Sequence, residues 1–296
     1  MANTITALAP AKINLTLQIT GKRSDGYHNL RTVMQSISLC DIVTVTKDNT
    51  KKDIAVTCTD GNIPCDGRNI AFKAAKAFFE GASIPKTGIL INIEKHIPSE
   101  AGLGGGSADG AAVFTALNSL FGSPLSEAEL CSLSARVGAD IPFCIKGGTI
   151  LCEGIGEILT PLSPLPECCI VIGKGEAGIS TKEAYAAADA SPQNTVRNFE
   201  TSVFDRGINE IADACFNAFE AVNKDKMHNR FYSEIHRIKE TMLSHGALCS
   251  VMSGSGSAVF GLFTEMNAAE GCCLSLDSSG FFSALCRPIK HGAVIL

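Results

Sequence analysis

Residues 98–112 read "PSEAGLGGGSADGAA", with glycine at five of fifteen positions and no lysine or arginine. Upstream, "GILINIEKHI" (88–97) has the composition of a strand; downstream, Val113, Phe114, Leu117, Leu120 and Phe121 recur at helical spacing. Strand, glycine loop and helix form an arrangement suited to an anion. Glycines let the backbone approach a ligand closely, and a helix start offers unpaired N–H groups at the positive end of its dipole. Ser107 adds a hydroxyl. Two familiar loops are excluded by spacing. A P-loop requires Lys after its last glycine, where this chain has Ser107. The dinucleotide fingerprint requires a third glycine, again where Ser107 stands. The loop therefore suits phosphate, and its counter-charge must come from elsewhere in the chain.

Outward from the loop, strands and helices alternate without strict βαβ spacing, which favours an α+β fold. "KINLTLQI" (12–19) alternates Ile13, Leu15, Leu17 and Ile19 with Asn14, Thr16 and Gln18, the period of a half-buried strand. "GKRSDGYHNL" (21–30) reads as a loop, "DIVTVTK" (41–47) as a short strand and "KDNTKK" (47–52) as a turn. Asn69 is placed to cap a helix over "IAFKAAKAFFE" (70–80) that stops at Gly81. "SEAE" (126–129) has the Ser-to-Glu spacing of a capping box, opening a helix with Leu130, Leu133 and Val137 on one face. Gly138 ends that helix, and Pro142 is expected to block an immediate new one. "GGTILCEG" (147–154) returns to strand. Three prolines in "LTPLSPLPE" (159–167) mark a junction between halves. Beyond it the expected order is strand, three helices, two strands, helix, strand. Ile208, Ile211, Cys215 and Phe219 mark one helix, and Phe231, Ile235, Ile238 and Met242 another. "ALCSVM" (247–252) and "SAVFGLF" (257–263) are strands joined by "SGSG".

The chain has 296 residues, enough for two domains, and 45% of them are apolar. Its net charge of −5 and the lack of a basic stripe argue against a nucleic-acid binder; "KDKMHNR" (224–230) reads as a solvated helix face. Thirteen cysteines include no Cys-x-x-Cys and no zinc spacing, which fits free thiols in a reducing compartment. "MANTITALAP" lacks a secretory pattern, and no apolar run reaches the ~20 residues of a membrane span. A cytoplasmic protein, without membrane or nucleic-acid partner, is expected.

The loop resembles the phosphate loop of the GHMP kinase superfamily, whose consensus is Pro-x-x-x-Gly-Leu-Gly-Ser/Gly-Gly/Ser-Ser. Here it is met by Pro98, Gly102, Leu103, Gly104, Gly105, Gly106 and Ser107. Glu100 stands where many members carry a small residue. Taken together, "AKINL", "GKRSDGYH", "GLGGGSAD", "VGADIPFC" and "MSGSGSAVFGLF" resemble, over nearly the whole chain, the members of that superfamily that act on 4-diphosphocytidyl-2-C-methyl-D-erythritol.

That resemblance implies a two-domain α+β architecture. A domain like ribosomal protein S5 domain 2 (1–158) is followed by a ferredoxin-like domain (159–296), with the site between them. It implies ATP held by Pro98, Ser99, Glu100, Ala101, Gly102, Leu103, Gly104, Gly105, Gly106, Ser107 and Ala108. Mg²⁺ is implied with the ATP, taking most of its ligands from phosphate and water, with Ser107 the one side chain named as a contact. Lys12 is implied to supply the charge missing from the loop, and Asp140 to be the base that takes the acceptor's proton. Taken without the resemblance, Lys12 is a solvated lysine at a strand start and Asp140 a turn or cap residue. Tyr27 and His28 are implied to grip a cytosine, Asn14 to touch the erythritol end, and Thr181 and Tyr185 to lie against the cytidine. The small-molecule acceptor would be phosphorylated on its 2-hydroxyl by a monomer or weak homodimer. Two alternatives stay open: a kinase of the same superfamily for homoserine or mevalonate, and a non-catalytic ligand sensor on the same fold.

Overall fold

A computed structural model describes residues 3–176, 181–222 and 230–296, without the side chains of residues 230 and 231. The basic stretch at 224–229, the residues 178–180 before Thr181, and the Phe231 side chain lie outside the described residues.

The chain opens with two long antiparallel strands, β1 (Thr4–Lys22) and β2 (His28–Asp48), joined by a hairpin turn at 23–27. Each is longer than the sequence pattern indicated, and "DIVTVTK" is only the end of β2. β1 is also not half-buried. Ile13, Leu15, Leu17 and Ile19 are buried as expected, but so are Asn14, Thr16 and Gln18. The alternation was read correctly; the polar face is covered by the second half of the chain. Ser253 accepts a hydrogen bond from the Asn14 amide, and the Gln18 side chain donates to the carbonyl of Arg197. The pairing register of β1 shifts between Pro10 and Lys12 and again between Asn14 and Thr16. These irregularities bracket Lys12 and Asn14. An extra residue in one strand bends it and re-aims the side chains beside it.

β3 (Ile54–Cys58), α1 (Ile70–Gly81) and β4 (Gly88–Glu94) follow. Asn69 caps α1 as expected, its side chain accepting from the Ala71 amide at 2.8 Å. Ala71, Ala74, Ala75, Phe78 and Phe79 form its buried face. α2 (Gly105–Leu120) begins inside the glycine loop and packs on α1 and β1. The capping box at Ser126 and Glu129 opens α3 (Glu127–Ser134). α4 (Ile141–Lys146) corrects an expectation: Pro142 does not block a new helix. In the first turn a proline displaces no needed N–H and its ring already has a helical φ, so the helix starts right after Asp140. β5 (Thr149–Gly154) and β6 (Ile158–Pro161) complete this part.

β7 (Cys169–Lys174) and α5 (Thr181–Ala190) come next. The single helix expected from Ile208 to Phe219 is instead α6 (Ile208–Ala214), a two-residue strand β8 (Phe216–Asn217) beside β1, and one turn, α7 (Ala218–Ala221). Asn217 breaks the run because its side chain caps α7 and also donates to the carbonyls of Met252 and Gly254. α8 (Arg230–Ser244), β9 (Cys249–Met252), β10 (Val259–Phe263), α9 (Met266–Ser278), β11 (Phe282–Cys286) and β12 (Val294–Ile295) finish the chain.

Among the described residues there are two sheets. The larger has β12-β1-β2-β4-β3 in order, with β5 on β2, β6 on β5 and β8 on β1. The smaller is antiparallel, β11-β7-β10-β9. Counting only its own strands, that is order 4-1-3-2, with α8 and α9 packed on it, the ferredoxin-like arrangement expected. There are two cores: Phe78, Phe114 and Phe143 lie in one, joined by Ile172 and Phe260 from the smaller sheet, and Ile238, Met242 and Phe263 lie in the other, joined by Leu17 and Ile19 from β1. No helix among the described residues is long and apolar enough to cross a membrane.

Candidate active site

The glycine loop joins β4 to α2. Gly104 takes the N-cap position of α2 in the left-handed region, φ 70°, where a side chain would be strained. The first backbone bond of the helix runs from Ala108 N to Gly104 O at 2.8 Å. The N–H groups of Gly105, Gly106 and Ser107 are therefore left outside the helical ladder, facing a ligand-sized space. A cavity of about 480 Å³ is lined by the loop from Pro98 to Ser107. Ala108 is buried within α2 and, unlike Pro98 to Ser107, is not part of that cavity's lining.

The missing charge lies beside the loop. A Cβ on Gly104 would stand 2.9 Å from Lys12 Cγ, so the lysine stem runs against the loop at its left-handed glycine. The Lys12 amide donates to the Leu103 carbonyl at 3.0 Å. Lys12 Nζ donates to Asn14 Oδ1 at 2.7 Å and lies 3.6 Å from Asp140 Oδ2. Asp140 holds the N-cap position of α4, yet its side chain makes no capping bond. Its carboxylate is free to face Lys12 and is partly open to solvent, while the lysine is buried. Asn14 is fixed in turn, Nδ2 donating to Thr32 Oγ1 at 2.8 Å, and that hydroxyl donating to the Thr16 carbonyl at 2.6 Å.

The second half closes the site. Gly102, φ 73°, packs so tightly on the β9–β10 connection that a Cβ would run into the Ser253 carbonyl. Ser253 Oγ donates to the Gly102 carbonyl at 3.0 Å while accepting from the Asn14 amide at 3.2 Å. One hydroxyl thus ties the glycine loop to β1. Thr181 Oγ1 is 3.0 Å from Ser255 Oγ. A cavity of about 680 Å³ brings Lys12, Asn14, Asp140, Thr181 and Tyr185 together. A third space of about 530 Å³ adds Tyr27, His28 and Ser107 and shares Asp140, Thr181 and Tyr185. Tyr27 is 61% exposed at the hairpin tip. The His28 ring stacks on Tyr185, centroids 4.6 Å apart, so one face of Tyr185 is already covered.

A second cation lies under the loop, one that no spacing in the sequence signalled. Lys95 Nζ is buried between Asp109, at 2.9 Å, and Asp41. A Cβ on Gly105 would meet this ammonium at 3.2 Å. Asp41 also accepts from the amides of His96 and Ile97, at 2.6 and 2.8 Å. Burial works against the Lys95 charge, but the two carboxylates outweigh it and hold its pKa above the ordinary value. Burial, with Asp41 adding to it, pushes Asp109 up to about 7 against the pull of Lys95. Asp109 Oδ1 is buried without a hydrogen-bond partner. Among the described residues there is no cluster of three or more His, Cys, Asp or Glu able to hold a metal ion by itself.

The GHMP kinase N-terminal domain family matches residues 69–148, and the GHMP kinase C-terminal family residues 205–272. The 4-diphosphocytidyl-2-C-methyl-D-erythritol kinase of Caldicellulosiruptor saccharolyticus is 45% identical over 260 residues, 87% of each chain. The chain belongs to the 4-diphosphocytidyl-2-C-methyl-D-erythritol kinase family. The kinase of the same name from Clostridium beijerinckii is 42% identical over 267 residues, 89% of this chain and 92% of the relative. A crystal structure of a 4-(cytidine 5'-diphospho)-2C-methyl-D-erythritol kinase superposes with a TM-score of 0.80 at 30% identity, covering 96% of this chain and 99% of that one. Homoserine kinase from Cytophaga hutchinsonii shares the fold, TM-score 0.74 at 20% identity over the whole of this chain. Membership of the kinase family accounts for the α+β fold.

Proposed function

We propose that the protein transfers the γ-phosphoryl group of ATP to the 2-hydroxyl of 4-diphosphocytidyl-2-C-methyl-D-erythritol, a step of the non-mevalonate isoprenoid precursor pathway. The observation that carries this reading is the Lys12–Asp140 pair in a cavity that shares Gly102 and Gly104 with the space along the glycine loop and Asp140 and Tyr185 with the space lined by Tyr27 and His28. Asp140 takes the acceptor proton. The hydroxyl oxygen then bonds to the γ-phosphorus as the bond to the bridging oxygen breaks and ADP leaves. Lys12 and the free N–H groups at the start of α2 face the charge spread over the transferring group. Asn14 orients both Lys12 and the erythritol end. Tyr27 offers its exposed ring to the cytosine, with His28 at the base edge; Thr181 and Tyr185 line the same space.

The donor set fits Mg²⁺ arriving with ATP and taking most of its ligands from phosphate and water, because the described residues offer hard oxygens on Ser107 and Asp140 but no closed cage. Bound there, the ion would neutralise phosphate charge. We place the domain boundary in the proline-rich junction, as 1–158 and 159–296. β6 crosses that boundary by three residues, and β8 and β12 return to the larger sheet. We take the enzyme to be cytoplasmic, a monomer or weak homodimer.

The test is ADP release with Mg-ATP and, in separate reactions, the cytidylyl substrate, mevalonate and homoserine. Turnover of the first alone, with the KM for that substrate raised about 10-fold or more in Tyr27→Ala, is expected for loss of a base-stacking contact worth ~1–3 kcal/mol. Turnover of another alcohol would overturn the substrate. Binding of ATP and the cytidylyl compound without any turnover would make the protein a sensor.

A further inference from the structure

The His28 ring is held from outside the cavities. Its Nε2 lies 2.7 Å from Oδ1 of Asp189, near the end of α5. Lys22 Nζ donates to the other oxygen, Oδ2, at 2.5 Å. One face of the imidazole is covered by Tyr185 at an interplanar angle of 17°. Tyr185 is braced edge-on by Phe219, centroids 4.9 Å apart. The His28 side chain is 8% exposed. The hydrogen bonds from Lys22 and then His28 hold the Asp189 carboxyl below the usual range, so it stays an acceptor. An ionised carboxylate only accepts, so the proton of a neutral ring sits on Nε2 and the lone pair on Nδ1. Among the described residues Nδ1 has no hydrogen-bond partner, and the ring lines the space it shares with Tyr27 and Asp140.

We infer that Asp189 is a positioning residue that makes this site read cytosine in preference to uracil. The inference rests on the proposed reading in which Tyr27 and His28 hold the nucleobase. Cytosine presents its N4 amine as a donor where uracil presents O4 as an acceptor. A fixed Nδ1 lone pair accepts from the amine of cytosine. Against uracil it meets a second lone pair, leaving two acceptors facing one another without a proton, the arrangement from which a site draws its strongest discrimination. The opposite tautomer would suit uracil. Asp189 selects between the two without touching the base, and Lys22 keeps the second carboxylate oxygen occupied.

The experiment is kcat/KM for the cytidylyl substrate and for its uridine counterpart, in the wild type, Asp189→Ala, Asp189→Asn and His28→Ala. ¹⁵N NMR of the imidazole accompanies it. The wild type is expected to prefer cytosine by about 100-fold or more and to carry its ring proton on Nε2. Asp189→Ala should cut that preference at least ~10-fold through the KM for the cytidylyl substrate, with kcat within about two-fold, and should give mixed tautomers. Asp189→Asn, whose amide oxygen still accepts from Nε2–H, should restore most of the preference. An unchanged preference in Asp189→Ala, or a wild-type proton on Nδ1, overturns the role of Asp189 alone. An unchanged preference in His28→Ala, or no turnover of the cytidylyl substrate by the wild type, overturns the underlying reading as well. Should Asp189→Ala fail to fold, the wild-type spectrum and the Asn variant still decide.

Discussion

At the scale of single residues, the proposed site turns on Lys12 and Asp140, whose charged atoms lie 3.6 Å apart. If Asp140 takes the acceptor proton, Asp140→Asn should lower kcat by about 10²–10⁴-fold and leave ATP affinity unchanged, as single-turnover assays and nucleotide titration would read. Lys12→Met should also lower kcat, by about 10²–10³-fold, through lost stabilisation of the transferring phosphoryl group. Asp109 allows a prediction of a different kind. With its pKa raised by burial to about 7, the folded protein holds this proton more tightly than the unfolded chain does. The stability this confers is complete below the ordinary carboxylate range and is lost as pH rises through about 7. Asp109→Asn removes that loss. Urea unfolding from pH 5 to 8 should therefore show the variant gaining on the wild type as pH rises. Lys12, Asp140 and the glycines could be proposed as site residues because each stands in a local string that resembles a family motif. Lys95, Asp109, Asp41 and Asp189 could not. Their roles arise from contacts between positions far apart in the chain, such as Lys95 with Asp41, which local spacing does not encode.

At the scale of elements, the sequence was most informative where a side chain closes a local hydrogen bond. The caps at Asn69 and Ser126 were both placed correctly. Ser126→Ala removes a cap far from the site. It should cost about 1 kcal/mol, roughly 2 °C in Tm for a chain of this size, without changing kcat. Scanning calorimetry and steady-state assay would check both halves of that statement. Elements whose form depends on distant partners were less legible. β1 and β2 run on because they pair along nearly their whole lengths. Cys215 to Asn217 leave the helical run because β1 and the β9–β10 connection supply them with partners. The start of α4 was misread for a local reason, a proline counted as a breaker when its position makes it an opener.

At the scale of the whole molecule, all thirteen cysteines are free, and only Cys65 is exposed. Burial pushes the thiols of Cys131, Cys168, Cys272 and Cys286 to about 11 or 12. Native iodoacetamide labelling at neutral pH should therefore modify Cys65 quickly and these four not at all within the same time, while denaturant should open all thirteen; mass spectrometry distinguishes the outcomes. The buried thiols behave as the small hydrophobes their apolar neighbours in sequence implied.

The position of β1 in the larger sheet carries one more consequence. This strand bears Lys12 and Asn14, and besides β2 its neighbours are β8 and β12, with Leu8 opposite Val294 and Leu17 opposite Asn217. Both partners emerge from the ribosome long after it, on the order of ten seconds or more at ordinary rates of synthesis. Until then the strand that carries Lys12 has an open edge, and the nascent chain lacks the arrangement on which the proposed site depends. Assembly of the proposed site is thereby deferred until both halves of the protein have been made.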